Sequence, residues 1–400
     1  MSGKGVIVRD LAAVVSFGIV LSTTGCGGGD EAAPPAAPNV QVITVDAGPT
    51  NNINLLFTTV TICAPGSTSN CQSIDHVLVD TGSTGLRIMS SVLSPSLSLR
   101  QQTDANSNPV VECGQFASGF TWGPVKVADV RMAGELAGSV PMQVIGDPAF
   151  SVVPSDCSAI GGPLNSVSTL GANGLLGVGV FQQDCGPACA LSVIPGTYYI
   201  CPPTCQATRA SLAQQVQNPI GLFPVDNNGV IIALPSVSAM GAPSVRGSMI
   251  FGIGTQGNNG LGNAHVLPVN PNTATFTTVL NLVSYSNSFI DSGSNALFFD
   301  STIPPCSGSL AAFYCPPVTR NLSATNQGTS GALSTVTFQV ANADSLFAAN
   351  PTFFAFGNLA GSNPDATSFD WGLPFFFGRN VFTAIEGQNT PAGPGPYVAY

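Results

Sequence analysis

The chain has 400 residues, a net charge of −10 and only 8% charged residues. No basic stripe is present that could release phosphate counterions, which excludes a nucleic-acid partner of the ordinary kind. Four hundred residues suffice for two sizeable cores. Short Val, Ile, Leu, Phe and Thr runs are punctuated by 45 Gly and 32 Pro, and long 3.6-residue periods are scarce, so an all-β protein is expected.

Lys4 and Arg9 precede an apolar run from Leu11 to Leu21, too short to cross a bilayer as a mature helix. The run ends in Leu21-Ser22-Thr23-Thr24-Gly25-Cys26, which resembles a bacterial lipobox with Thr in place of Leu three residues before the Cys. Residues 1–25 thus read as a lipoprotein signal peptide and Cys26 as the lipidated residue; an ordinary secretory signal is the alternative. Residues 26–45, Gly-rich and then Ala/Pro-rich to Pro38, form a tether. The expected location is the cell envelope, with the membrane engaged through the anchor, or else a secreted or periplasmic soluble state.

Without Cys26, ten of the eleven cysteines remain, enough for five disulfides in an oxidising compartment. Cys63 and Cys71 bracket a short loop, as do Cys306 and Cys315. Cys185, Cys189, Cys201 and Cys205 suggest a nested excursion, Cys185 with Cys205 and Cys189 with Cys201, which leaves Cys113 for Cys157. The two Cys-x3-Cys pairs also admit zinc; in an exported chain disulfides are favoured, and neither metal nor cofactor is expected.

One phrase occurs twice, Val77-Leu78-Val79-Asp80-Thr81-Gly82-Ser83 and Ser288-Phe289-Ile290-Asp291-Ser292-Gly293-Ser294. Each is an apolar strand running into a carboxylate, a hydroxyl and a glycine turn. Two such carboxylates facing each other would share one proton, leaving one as acid and the other as base toward a water. An apolar-apolar-Gly triplet follows each copy, with Leu175 95 residues after Asp80 and Phe376 85 residues after Asp291. The chain therefore reads as two related units. The clearest helix candidate is Arg209 to Val216.

These motifs resemble the pepsin-like aspartic peptidases, and with the amino terminus they resemble the uncharacterised bacterial lipoproteins that carry a pepsin-like domain. The resemblance covers residues from about 46 to 387. It adds Gly247-Ser248-Met249-Ile250-Phe251-Gly252 and the closing element from Phe375 to Ile385. It implies a bilobal fold, with one lobe over residues 46–224, the other over 225–400, and a cleft between them. Asp80 and Asp291 match the catalytic pair, Ser83 and Ser294 the hydroxyls that orient the carboxylates, and Thr81 and Ser292 the hydroxyls that brace the loops; Gly82 and Gly293 complete the turns.

The family's flap hairpin carries a Tyr that meets a Trp. Here the hairpin would run from Glu112 to Gly123, with Phe116 at the Tyr position and Arg87 at the Trp position, while Trp122 is a second candidate to lean over the cleft. A Ser-His-Asp system is poorly served, since the only histidines are His76 and His265, both read as strand residues. The Gly-rich stretch after Phe251 lacks the Lys and helix of a phosphate loop. The expected activity is an aspartic endopeptidase acting on an extended peptide. The alternative is a silent binding module for a peptide or glycan strand.

Overall fold

The computed structural model describes residues 38–159, 161–201 and 204–400. The signal peptide, Cys26 and the first part of the tether lie outside them. Among the described residues the fold is mostly β with barrel-like sheets, and the longest helix, Ala343–Ala349, has 7 residues. No helix there is long and apolar enough to cross a membrane. The segment Arg209 to Val216 is not a helix. It makes one turn on the Ser211 carbonyl, because the buried Gln215 amide donates to Gly186 O and Ala210 O instead of facing solvent.

In the N-terminal half, six strands close on themselves. Leu56–Cys63 pairs with Cys71–Asp80, which pairs in parallel with Gly174–Val178. That strand pairs with Thr84–Met89, then Glu135–Ile145, then Gly119–Met132, which returns to Leu56–Cys63. Next to Asp80 the strands are covered on both faces, which is why Val77, Leu78 and Val79 and the facing Leu175 and Leu176 are consecutive apolar residues. Val77, Val79 and Leu176 enter the main core, while Leu78 and Leu175 point the other way into a cluster with Phe57 and Phe116. Each fully buried aliphatic contributes about 1.5–3 kcal/mol.

Asp80 sits where Cys71–Asp80 turns back into Thr84–Met89, with Gly174–Val178 threaded between these two strands. The C-terminal half repeats the device. Val283–Ile290 delivers Asp291, Leu297–Phe298 leaves the loop, and Asp370–Trp371 lies between them, parallel to the first and antiparallel to the second. This corrects the triplet expected at Phe375 to Gly378. The inserted strand is Asp370-Trp371, its glycine is Gly372, and Leu373–Phe375 is a buried 3-10 turn. Steric constraint identifies the pair of glycines: a methyl on Gly177 would lie 2.6 Å from Thr84 N, and one on Gly372 would lie 2.7 Å from Ser294 O and collide with Ala296 O.

A further run of strands joins the first and last described strands. Val40–Val45 pairs with Val245–Phe251, which pairs with Gly229–Leu234, then Arg379–Ala384, then Tyr397–Ala399. Five disulfides are present: Cys63–Cys71, Cys113–Cys157, Cys185–Cys189, Cys201–Cys205 and Cys306–Cys315. The nested pairing of the middle four is thereby corrected to two local staples. Cys201 and Cys205 sit at the hairpin formed by Tyr198–Ile200 and Gln206–Ala207, so they face each other across it. Five disulfides mark an exported protein.

If Gly372 is required by contact with the outgoing strand, Gly372→Ala should destabilise the protein by about 1–3 kcal/mol. Urea denaturation measures it, and an unchanged midpoint would remove this steric account of the second crossing.

Candidate active site

The two loops are tied by four reciprocal bonds. Thr81 N donates to Ser292 Oγ at 3.1 Å and Ser292 N donates to Thr81 Oγ1 at 3.0 Å. Each hydroxyl then donates to the strand before the opposite loop, Thr81 Oγ1 to Ile290 O at 3.1 Å and Ser292 Oγ to Val79 O at 2.8 Å. Both hydroxyls are thus donor and acceptor at once, a use that Ser meets as well as Thr.

Asp80 and Asp291 are both fully buried. Gly82 N donates to Asp80 Oδ1 at 2.7 Å, and Gly293 N donates to Asp291 Oδ1 at 2.8 Å. Each glycine lies under the opposite acid. A methyl on Gly82 would sit 2.7 Å from Asp291 Oδ1, and one on Gly293 would sit 2.7 Å from Asp80 Oδ1 and 3.1 Å from Asp291 Oδ1. Only glycine lets the carboxylates approach.

The expected hydroxyl supports are unequal. Ser294 Oγ donates to Asp291 Oδ2 at 2.9 Å, whereas Ser83 Oγ is buried without a hydrogen bond, as is Asp80 Oδ2. Ser83 therefore does not orient its carboxylate in this state. Burial first, then the Asp80 and Asp370 carboxylates and a hydrogen bond with Asp80, push the Asp291 carboxyl well above the usual aspartate range; Ser294 opposes this. The pair is built to retain a proton.

Asp370 was not singled out in the sequence. It stands on the inserted strand in Phe369-Asp370-Trp371-Gly372. An acid within an otherwise apolar run before a glycine was the available signal, but it also disguised the triplet.

The segment read as a flap is a hairpin, Val110–Phe116 against Gly119–Met132 with Phe116 opposite Gly119. Its two proposed covers do not lie open over the acids. Phe116 is 4% exposed, packed with Leu78 and Leu175. Trp122 packs edge-on against Tyr199 at 5.2 Å and its Nε1 donates to Phe150 O at 2.7 Å, on the side stapled by Cys113–Cys157. Arg87 is 3% exposed and unavailable to a substrate.

Instead, Arg87 holds the hairpin. Glu112, Gly114 and Phe116 alternate along one strand and so share a face, and all three meet this guanidinium. It pairs with Glu112 and lies 5.6 Å above the Phe116 ring; a methyl on Gly114 would come 3.0 Å from Nε. Nη1 donates to Thr84 O at 2.7 Å and Nη2 reaches Asp184 at 3.2 Å. Tyr198 Oη donates to Asp184 at 2.6 Å and accepts from Val216 N at 2.8 Å. Burial would lower the Arg87 pKa, but Glu112 and Asp184 outweigh it and the value is raised. Glu112 is also raised well above its usual range, by burial against Arg87's pull and then by Asp184.

No group of three or more His, Cys, Asp or Glu placed to hold a metal occurs among the described residues. A cavity of about 220 Å³ lies behind the second crossing, against Leu297, Phe338, Trp371 and Phe375, away from the paired acids.

The raised Asp291 carboxyl has a consequence for stability. A group whose pKa rises on folding stabilises the fold below its unfolded value, about 3.9 for Asp, and that contribution is lost as pH rises through the folded value. Asp291→Asn, which cannot ionise, should therefore exceed the wild type in stability at neutral pH, with the difference vanishing below the unfolded value. Thermal melts across pH measure this; a difference independent of pH would refute it.

No curated protein matches the chain. The family model described as "Protein of unknown function (DUF3443)" matches residues 35–400, and the chain belongs to that family.

Proposed function

We propose that the chain is an aspartic peptidase of pepsin-like, bilobal architecture, with Asp80 and Asp291 as its catalytic pair. The observation that carries this reading is the pair itself: two buried carboxylates around the same two glycines, on loops tied by reciprocal hydroxyl bonds, with one acid biased to hold a proton. In the reaction a water adds to a peptide carbonyl, giving its proton to Asp80, while Asp291 gives its proton to the carbonyl oxygen. Collapse of the tetrahedral species breaks the C–N bond; the amine leaves with the proton that Asp80 took, and a hydroxyl of the species returns its proton to Asp291 as the carboxylic acid forms. The substrate is a peptide in extended form. Turnover should peak on the acidic side, where the pair carries one negative charge, and fall as pH rises through the Asp291 value.

A second reading, a binding module for a peptide or glycan strand without turnover, is favoured by the zero exposure of both acids and the idle Ser83 hydroxyl. A mixed peptide library incubated with the mature protein from pH 3 to 7, beside Asp80→Asn, separates the two. The peptidase reading expects a loss of about 10²–10⁴-fold in the mutant. Equal turnover in both proteins would reject this dyad, and no turnover in either, with peptide retained, would favour the module.

We also propose lipid attachment at Cys26, supported by the lipobox-like Leu21 to Cys26 and the tether behind it. Cys26→Ser should move the protein from the membrane fraction to the soluble fraction. Unchanged fractionation would reject the anchor.

A further inference from the structure

The segment before the strand Leu56–Cys63 is held on two sides by three consecutive residues. Leu55 is fully buried in the cluster that contains Phe116 of the hairpin and Leu78 of the strand leading to Asp80. Asn54, also fully buried, is bonded wholly to the C-terminal half. Its N donates to Phe354 O at 2.7 Å, its Nδ2 donates to Asn295 O at 2.8 Å and Phe356 O at 2.9 Å, and its Oδ1 accepts from Phe356 N at 2.8 Å. The amide pairs with Phe356 as a neighbouring strand would. Ile53 packs into the C-terminal cluster of Ala296, Phe298 and Phe356.

Asn295 directly follows the Asp291-Ser292-Gly293-Ser294 loop. The segment thus links the cluster that holds Phe116 of the hairpin and Leu78 of the strand leading to Asp80 with the exit of the second acid's loop. Asn51 and Asn54 both have left-handed backbone, φ 58° and 51°, a conformation that Asn tolerates best among non-glycine residues. The crossing is a shaped element.

We propose that Ile53, Asn54 and Leu55 form a bridge that closes one end of the cleft and determines specificity. This inference rests on the peptidase reading and narrows it: a substrate chain can extend from the acids in one direction only. The enzyme then trims peptides near a chain end, in place of the internal cutting expected of an endopeptidase.

The test maps the cleavage sites of unstructured peptides by mass spectrometry for the wild type, Ile53→Ala, Asn54→Ala and Asp80→Asn. The wild type should cut close to one terminus. Ile53→Ala and Asn54→Ala should raise internal cuts relative to terminal ones by about tenfold, while Asp80→Asn abolishes both. Internal cutting by the wild type as frequent as terminal cutting would overturn the bridge and leave the peptidase reading standing. Hydrogen exchange supplies a readout that needs no turnover: the Asn54 amide, bonded to Phe354 O, should be protected in the wild type and released in Ile53→Ala. A rapidly exchanging Asn54 in the wild type would overturn the bridge whatever the activity. A protected Asn54 with no turnover in any protein would sink the peptidase reading, and the specificity inference with it.

Discussion

The reciprocal bonds between Thr81 and Ser292 are the constraint on which the rest of the site depends. Four hydrogen bonds converge on two hydroxyls at the point where the loops meet. Each would be worth about 1 kcal/mol alone, but here all four tie buried backbone groups of one loop to the other. Two acids are forced together only because this brace, and the glycines beside it, make separation costly. Mutual repulsion of the carboxylates would otherwise drive the loops apart. Retaining a proton relieves that repulsion, so the brace and the raised Asp291 carboxyl are two sides of one balance.

The hairpin beside the pair is fastened rather than hinged. Arg87 engages three residues on one of its faces, Cys113–Cys157 staples the other, and Gly119 and Phe120 near its tip pair with Gly162 and Pro163. A buried ion pair is weak evidence for stability, since desolvation consumes most of its attraction. Its use here is geometric. The planar guanidinium can meet Thr84 O, Glu112 and Asp184 at once, which a lysine ammonium on a flexible stem would not reproduce. Arg87 and Phe116, read in the sequence at the positions of a contacting pair, meet as a cation over a ring.

The doubled Asp phrase, the braces and the mostly β character were legible because each has a local cause: a glycine turn, a short hydroxyl side chain, an apolar run buried on both faces. The second inserted strand was not legible. Asp370 interrupts the apolar pattern, and the conspicuous Phe375-Phe376-Phe377-Gly378 nearby fits the pattern better while forming a buried turn. What marks the true strand is the absence of room beside Gly372, a tertiary fact. The cysteine pairing failed for a related reason. Spacing alone allowed nested or local staples, and only the register of Tyr198–Ile200 with Gln206–Ala207 selects the local one. Nothing in Ile53-Asn54-Leu55 announces a contact with residues 295 and 354 to 356, because long-range hydrogen bonds of a side-chain amide leave no periodicity.

Burial of the acids and closure by the bridge act on the same quantity. Water exclusion strengthens every charge interaction at the pair, which favours a shared proton and disfavours a doubly ionised state. The bridge is joined to the C-terminal half by four hydrogen bonds through one residue, whereas the hairpin is fixed on two faces. Breaking the smaller set costs less, so local opening should appear where Asn54 meets Phe356 before the hairpin lifts. The hairpin is thus the more fixed of the two elements that reach the surroundings of the first acid's strand.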